Sequence, residues 1–230
     1  MRDARIVTDT FDGFGPDVFD WFDGLERDNS RTYFTATRDF YERQVRGGIE
    51  AMLDELSEEF DGEVRVFRQQ RDLRFSHDKS PYKTRTYGVI HGVAVARAGL
   101  YAQISAVGLY AGTGYHQMAR DQLERFRAAV ADDATGAGLV AALAAADAAG
   151  LELHGESLRT APRGYPREHP RIELLRRKAV VVGRALPRGD GISRDAALRH
   201  VSSAWRAAGP LNAWLDERVG LSTEPDSRRR

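Results

Sequence analysis

In "GPDVFDWFDGLERD" the apolar residues Val18, Phe19, Phe22 and Leu25 recur at the spacing that gathers them on one face of a helix. Pro16 suits a first helical turn, where its missing N–H costs nothing, and Asp17 and Asp20 lie near the positive end of the helix dipole. After a turn at Asp28 to Ser30, the same period runs through Phe34, Tyr41, Val45, Ile49, Met52, Leu53 and Leu56, predicting further helix. Gly47 and Gly48 are expected to kink or split it, because glycine costs about 1 kcal/mol against alanine in a helix interior.

The period then shortens to two. "EVRVFRQ" alternates Val64 and Val66 with polar neighbours, as a half-buried strand does. "TYGVIHGVAVAR", "AGLYAQISAVG" and "GLYAGTGY" read as three further strands joined by short glycine-containing turns, an antiparallel meander. Helical spacing returns in "HQMARDQLERFRAAVAD", placed from near His116, and in "GAGLVAALAAADAAG", with Gly150 as its C-cap. "LELHG" reads as a strand, "RIELLRRK" as a short helix and "AVVVGRAL" as a β-branched strand. The last periodic stretch, "SRDAALRHVSSAWRAAGPLNAWLDERV", is helical and broken at Pro210. The expected fold is α+β, a mainly antiparallel sheet packed with helices. Residues 1–220 are expected to form a single domain and the polar residues 221–230 a disordered tail.

Composition narrows the function classes. Apolar residues at 42% and charged residues at 30% of 230 describe a chain that folds rather than a disordered one. Lys and Arg number 34, as do Asp and Glu, so no global field recruits nucleic acid or an anionic membrane. With no cysteine, disulfides, thiolate nucleophiles and cysteine-based metal sites are excluded. No apolar signal core opens the chain, and the alanine-rich run near residue 140 is too short to span a bilayer, so a cytoplasmic location is expected. The histidines show neither HxxxH nor HExxH spacing, which gives no metal motif and leaves any cofactor unknown.

The charge is nonetheless uneven. Residues 1–30 carry eight acids against three arginines, while residues 68–85 carry six cations against Asp72 and Asp78. That basic excess coincides with "RDLRFSHDKSPYKT", Arg71 to Thr84. Arginine offers a planar fork for carboxylate or phosphate, lysine a mobile point charge, and serine and backbone N–H groups complete an anion cradle. Arg71, Arg74, Ser76, Lys79, Tyr82 and Lys83 are therefore candidate ligand-binding residues, with Tyr115 and Tyr165 as candidate pocket lining. Asp72, Asp78 and His77 are the candidate acid/base groups. The same loop can instead be a folding device: the two aspartates cap turns, Phe75 and Tyr82 anchor it in the core, and the cations form a salt-bridged brace.

Three other stretches carry weaker signals. "GTGY" at Gly112 to Tyr115 has neither phosphate-loop spacing, and its glycines serve backbone freedom. "APRGYPREHP" sets Arg163, Tyr165, Arg167 and His169 on a proline frame that either covers a ligand or straps the sheet. "RTYF" and "RDFYERQVR" interleave aromatics with cations, a composition used for single-stranded nucleic acid, but at helical spacing the aromatics are more simply core.

The motif "RDLRFSHDKSPYKT" resembles the signature of the domain of unknown function 2461 family, conserved hypothetical proteins with an RDxRFSxDKxPYKT-like stretch. "FDGFGPDVFDWFDGLERDNSRTYF", "YAQISAVGLYAGTGY" and "APRGYPREHPRIELLRRK" are similar to further family landmarks in the same order, so the resemblance runs from about Phe11 to about Leu215. The chain departs from the pattern at Asp28, Asn29 and Ser30, where paired asparagines are usual, at Tyr33 in place of tryptophan, and at "TGYHQM". The resemblance implies no activity. The expectation from the residues is a small anionic, phosphate-bearing ligand in a cationic pocket on the Arg71–Thr84 loop. The alternatives are a protein-interaction module with that loop as brace and, third, nucleic-acid binding, which the balanced charge disfavours. The residues leave oligomeric state open.

Overall fold

The computed structural model describes residues 11–74, 77–92 and 99–224. The fold is α+β: a six-stranded antiparallel sheet, a two-stranded sheet, and helices before, between and after the strands. The chain gathers into two compact units.

The first unit begins with β1 (Gly13–Phe14) and α1 (Pro16–Arg27), where Pro16 occupies the first turn and Val18, Phe19, Trp21, Phe22 and Leu25 are buried. One turn on, the Ser30 hydroxyl accepts from the Tyr33 backbone N–H at 3.1 Å, which caps α2 (Arg31–Ala36). Then follow α3 (Arg38–Phe40), a π-helical turn (Tyr41–Arg46) and α4 (Gly47–Phe60). The expected break at Gly47 and Gly48 is not where the helix is interrupted. Irregularity falls on the preceding π-helical turn, and both glycines continue into α4. A Cβ at Gly48 would lie 3.1 Å from the Phe14 ring, so the small residue serves close packing rather than a kink.

α4 packs on β2 (Glu63–Val66) and β3 (Arg85–His91), which pair antiparallel from Glu63↔His91 to Val66↔Gly88. Gly88 lets α4 come close, since a Cβ there would meet Leu53 at 2.5 Å. β4 (Leu100–Ser105) and β5 (Gly108–Tyr115) follow, and the sheet order is β2-β3-β4-β5-β7-β6. The meander thus runs from β2 to β5, and β7 is inserted between β5 and β6. The expected strand "TYGVIHGVAVAR" is described only as far as Gly92, its remainder lying outside the described residues.

In the second unit, α5 (Arg120–Ala131) starts at Arg120 rather than near His116. The start is fixed where the Gln122 side chain accepts from the Ala119 backbone N–H at 2.9 Å, satisfying a donor that the helix leaves unpaired. α6 (Asp133–Ala148) is capped by Asp132, whose carboxylate accepts from the Thr135 backbone N–H at 2.9 Å. β6 (Glu152–His154) pairs with β7 (Val180–Pro187) across the proline-rich connection and α7 (Ile172–Leu175). β8 (Ile192–Ser193), which belongs to the first unit, pairs there with β1 in the two-stranded sheet. α8 (Arg194–Ala207) ends before Pro210, which sits in the first turn of α9 (Gly209–Arg218). Phe126, Val130, Leu139, Leu211 and Leu215 are fully buried around these helices. Among the described residues no single helix is long and apolar enough to cross a membrane; α5 and α6 pass together by length and composition but meet at 97°.

Candidate functional site

The Arg71–Thr84 motif is the connection between β2 and β3, and it is not a free loop. Beyond Val66 the two strands go on pairing: the Phe67 N–H donates to the Tyr87 carbonyl at 3.0 Å, the Lys83 N–H to the Gln69 carbonyl at 3.0 Å, and the Arg71 N–H to the Pro81 carbonyl at 2.9 Å. Between the first two contacts the register slips, so that Arg68 alone faces Thr84, Arg85 and Thr86. Such a bulge leaves backbone groups unpaired inside the fold. Gln69, only 2% exposed, spans it: its amide donates to the Lys83 carbonyl, and its carbonyl oxygen accepts from the buried Thr86 hydroxyl at 2.9 Å. No pattern in "VFRQQRD" marks Gln69 for that task.

A second clamp comes from the departed triplet after α1. The Asn29 side chain accepts from the Tyr82 N–H at 3.0 Å and donates to the Tyr82 carbonyl at 3.1 Å, imitating one rung of a β-ladder across 53 positions of chain. The Tyr82 ring stacks on Phe34, with centroids 4.1 Å apart and planes at 12°. Phe34 in turn meets Tyr41 at 5.0 Å, and Tyr41 stacks on Trp21 at 5.2 Å. Of the aromatics in "RTYF" and "RDFYERQVR", Phe34 at 5% and Tyr41 at 2% exposure are core, while Tyr33 and Phe40 are partly exposed. The Tyr41 hydroxyl, buried beside Thr86, meets no partner at hydrogen-bonding geometry among the described residues, and burial pushes its pKa up to about 12.

We expect Asn29→Ala to cost about 1–3 kcal/mol, because two backbone groups of a part-buried residue lose their partner together. Asn29→Asp, which keeps the acceptor and loses the donor, should retain part of that stability. Urea unfolding of both variants measures it; equal, near-zero losses would show that the clamp does not hold the loop.

Above this base lies an open cavity of about 280 Å³, lined by Asn29, Arg71, Asp78, Ser80, Tyr82, Lys83, Thr84 and Arg85. Three of these residues are cationic and one is acidic. Asp78 accepts from the Arg71 guanidinium, from the Ser80 hydroxyl at 2.7 Å and from the Ser80 N–H at 2.9 Å. Those bonds, Ser80's foremost and then Arg71's, hold its carboxyl far below the ordinary carboxylate range, so it remains an anion and has no proton to give near neutrality. Lys83 and Arg85 have no carboxylate partner among the described residues. Lys83 donates to the Arg68 carbonyl, and its ammonium sits 5.0 Å from the centre of the Tyr87 ring. Burial lowers its pKa, and the nearby charges of Arg68 and Arg85 lower it further.

The structure does not bring all the motif's predicted site residues to this cavity. Arg71, Tyr82, Lys83 and Asp78 line it, together with Asn29, Ser80, Thr84 and Arg85, which the motif's composition did not single out as site residues. Arg85 was visible in the local cation excess, and Ser80 and Thr84 in the motif itself. Arg74 is exposed and bound to Asp72 through a two-pronged ion pair, at 2.6 Å for its shortest contact, and that bond holds the Asp72 carboxyl down to about 2. Lys79 is exposed and donates to the Leu73 carbonyl at 3.2 Å; His77 is exposed. Asp72 and Asp78 both turn the chain, accepting from the Arg74 and Ser80 N–H groups two residues on. Phe75 and Ser76 lie outside the described residues.

Tyr115 and Tyr165 belong to the second unit. Tyr115 lines a smaller hollow of about 160 Å³ with Gly114, His116, Gln117, Gln122, Gly220 and Leu221, and its hydroxyl donates to Asp216 at 3.0 Å. Tyr165 lies in successive turns of "APRGYPREHP", its N–H donating to the Pro162 carbonyl at 3.2 Å. Gly114 adopts a φ of +128°, so one glycine of "GTGY" does serve backbone freedom. Among the described residues, no group of three or more His, Asp or Glu is placed to hold a metal ion.

Among curated proteins, none matches this chain. Residues 17–214, most of the chain and all of the motif, match the family described as conserved hypothetical protein (DUF2461). The chain belongs to that family.

Proposed function

We propose that the cavity beside the Arg71–Thr84 connection binds a small anionic, phosphate-bearing molecule. The observation that carries this reading is the imbalance of its wall: Arg71, Lys83 and Arg85 face one carboxylate, Asp78, and two of the three cations have no acidic partner among the described residues. Positive charge held together without compensation is unfavourable, and the charge of Arg85 adds to the burial that lowers the pKa of Lys83. A bound anion offsets that cost. Arg85 and Arg71 offer forked donors, Lys83 a point charge, and Thr84 and Asn29 polar groups at the rim.

A second reading has its own support. The Arg71–Asp78 and Arg74–Asp72 pairs are what a salt-bridged brace would show, leaving the family's motif a folding device and the molecule an interaction module. A thermal-shift panel of inorganic phosphate, nucleotides, sugar phosphates and carboxylates separates the two. A ligand at one hundred times its dissociation constant stabilises the native state by about 2.7 kcal/mol. The expected result is a shift with at least one phosphate-bearing compound in wild type and in Arg74→Ala, and none in Arg85→Ala. A panel without any shift, or equal shifts in all three proteins, would leave only the brace.

A further inference from the structure

We infer that Lys83 is a nucleophilic amine that forms an imine with a small carbonyl compound carrying an anionic group, held in the Arg71–Arg85 cavity. The inference rests on the anion-site reading and adds to it a bond and a substrate class.

The first ground is chemical economy in the sequence. Of 34 lysine and arginine residues only three are lysines, Lys79, Lys83 and Lys178. Everywhere else the chain meets its need for positive charge with arginine, which neither deprotonates nor adds to a carbonyl. Two of the three lysines fall within the fourteen-residue motif, and one of those lines the cavity.

The second ground is placement. Lys178 is paired with Glu156 at 2.6 Å, and Lys79 is exposed on the loop. Lys83 is half-buried beside Arg68 and Arg85 and unpaired with any carboxylate among the described residues, its ammonium held only by the Arg68 carbonyl and the Tyr87 ring. Burial first, and then the charges of Arg68 and Arg85, shift this amine toward its neutral, nucleophilic form. Arg71 and Arg85, on the same wall, would hold the substrate's anionic group and leave its carbonyl carbon to the amine.

The step needs no further reactant. The neutral Lys83 nitrogen adds its lone pair to the carbonyl carbon, and the carbonyl π pair passes to oxygen, which takes up a proton from solvent. One proton of the nitrogen then passes to that hydroxyl, which leaves as water while the nitrogen lone pair forms the C=N bond of a protonated imine. The ionised Asp78 carboxylate lies on the cavity wall to stabilise the cationic imine.

The test uses the intact chain with pyridoxal 5′-phosphate, a probe joining an aldehyde to a phosphate, followed by borohydride reduction and peptide mapping. We expect the reduced adduct on Lys83 to form several-fold faster than on Lys79 or Lys178, the two other lysines of the chain. Pyridoxal, which lacks the phosphate, should label Lys83 markedly more slowly, and Arg85→Gln should erase the advantage of the phosphate. Lys83→Arg keeps the charge and should melt with wild type while losing the main adduct. Labelling spread evenly over the three lysines, or led by Lys79, would overturn the inference. Should the phosphate probe raise the melting temperature in an Arg85-dependent way yet leave Lys83 unmodified, the anion site stands and the amine chemistry falls. Equal labelling of Lys83 by both probes would overturn the anionic substrate class.

Discussion

Replacing Tyr82 by alanine should destabilise the protein by about 3–5 kcal/mol, the cost of deleting a large aromatic side chain from a packed site. The ring is 8% exposed and stacked on Phe34, and its backbone carries both hydrogen bonds from Asn29. One side chain thus ties the motif to the aromatic cluster of Trp21, Phe34 and Tyr41, and its loss opens a void where these helices meet the β2–β3 connection. Tyr82→Phe keeps the stack and should stay within about 1 kcal/mol of wild type. In urea the alanine variant should unfold at a lower midpoint with an unchanged slope, since the folded architecture is the same. If alanine and phenylalanine variants unfold together, the ring is not what anchors the connection.

The second large effect is expected at Gly114. Its φ of +128° is a conformation L-residues avoid, and an added Cβ would lie 2.2 Å from the Val180 carbonyl oxygen and 2.8 Å from the Val181 Cα, both backbone atoms. Neither can swing away as a side chain would. Gly114→Ala therefore has to push β5 from β7, with a loss of at least about 4 kcal/mol, in the range of the most damaging single substitutions. Gly150→Ala is the control: φ is +76°, nothing lies within 4 Å, and only the left-handed penalty of about 1–2 kcal/mol applies. Circular dichroism and urea unfolding of the two variants read the difference. Equal losses would mean that the close approach of the strands costs nothing.

How far the sequence leads differs from one element to the next. α1 was legible because its apolar face, its proline and its first-turn aspartate are all local features. The strands from β2 to β5 were legible for the same reason. The π-helical turn was not, since nothing in "YERQVR" departs from helical spacing, and the glycines that follow it drew the expected break to the wrong place. The start of α5 was missed by a few residues because a cap is set by one hydrogen bond, donated by the Ala119 N–H to the Gln122 side chain, and not by hydrophobic period. β1 and β8, two residues each, carry no readable alternation; they exist because Phe14 and Ile192 find each other in space.

For the site, the motif's composition pointed to the right segment and mixed its cations. Arg74 and Lys83 look equivalent as residues in "RDLRFSHDKSPYKT". In the fold Arg74 is spent on Asp72, two positions away, whereas Lys83 lies across a bulge from Arg68 and shares a wall with Arg71 and Arg85. Asn29, which closes the same cavity, is 53 residues distant from the chain it clamps.

By itself the sequence determined the mixed helical and strand character, the absence of thiol chemistry, the local excess of positive charge in the motif and, through that motif, the family. Those properties reside in composition and in short-range period, and each is fixed before the chain folds. Which cations are neutralised and which are left facing a cavity was decided only by the tertiary structure. Coulomb energy and hydrogen bonding depend on separations of a few ångströms between atoms, and those separations are set by a register slip, a buried glutamine and an asparagine from another helix's start.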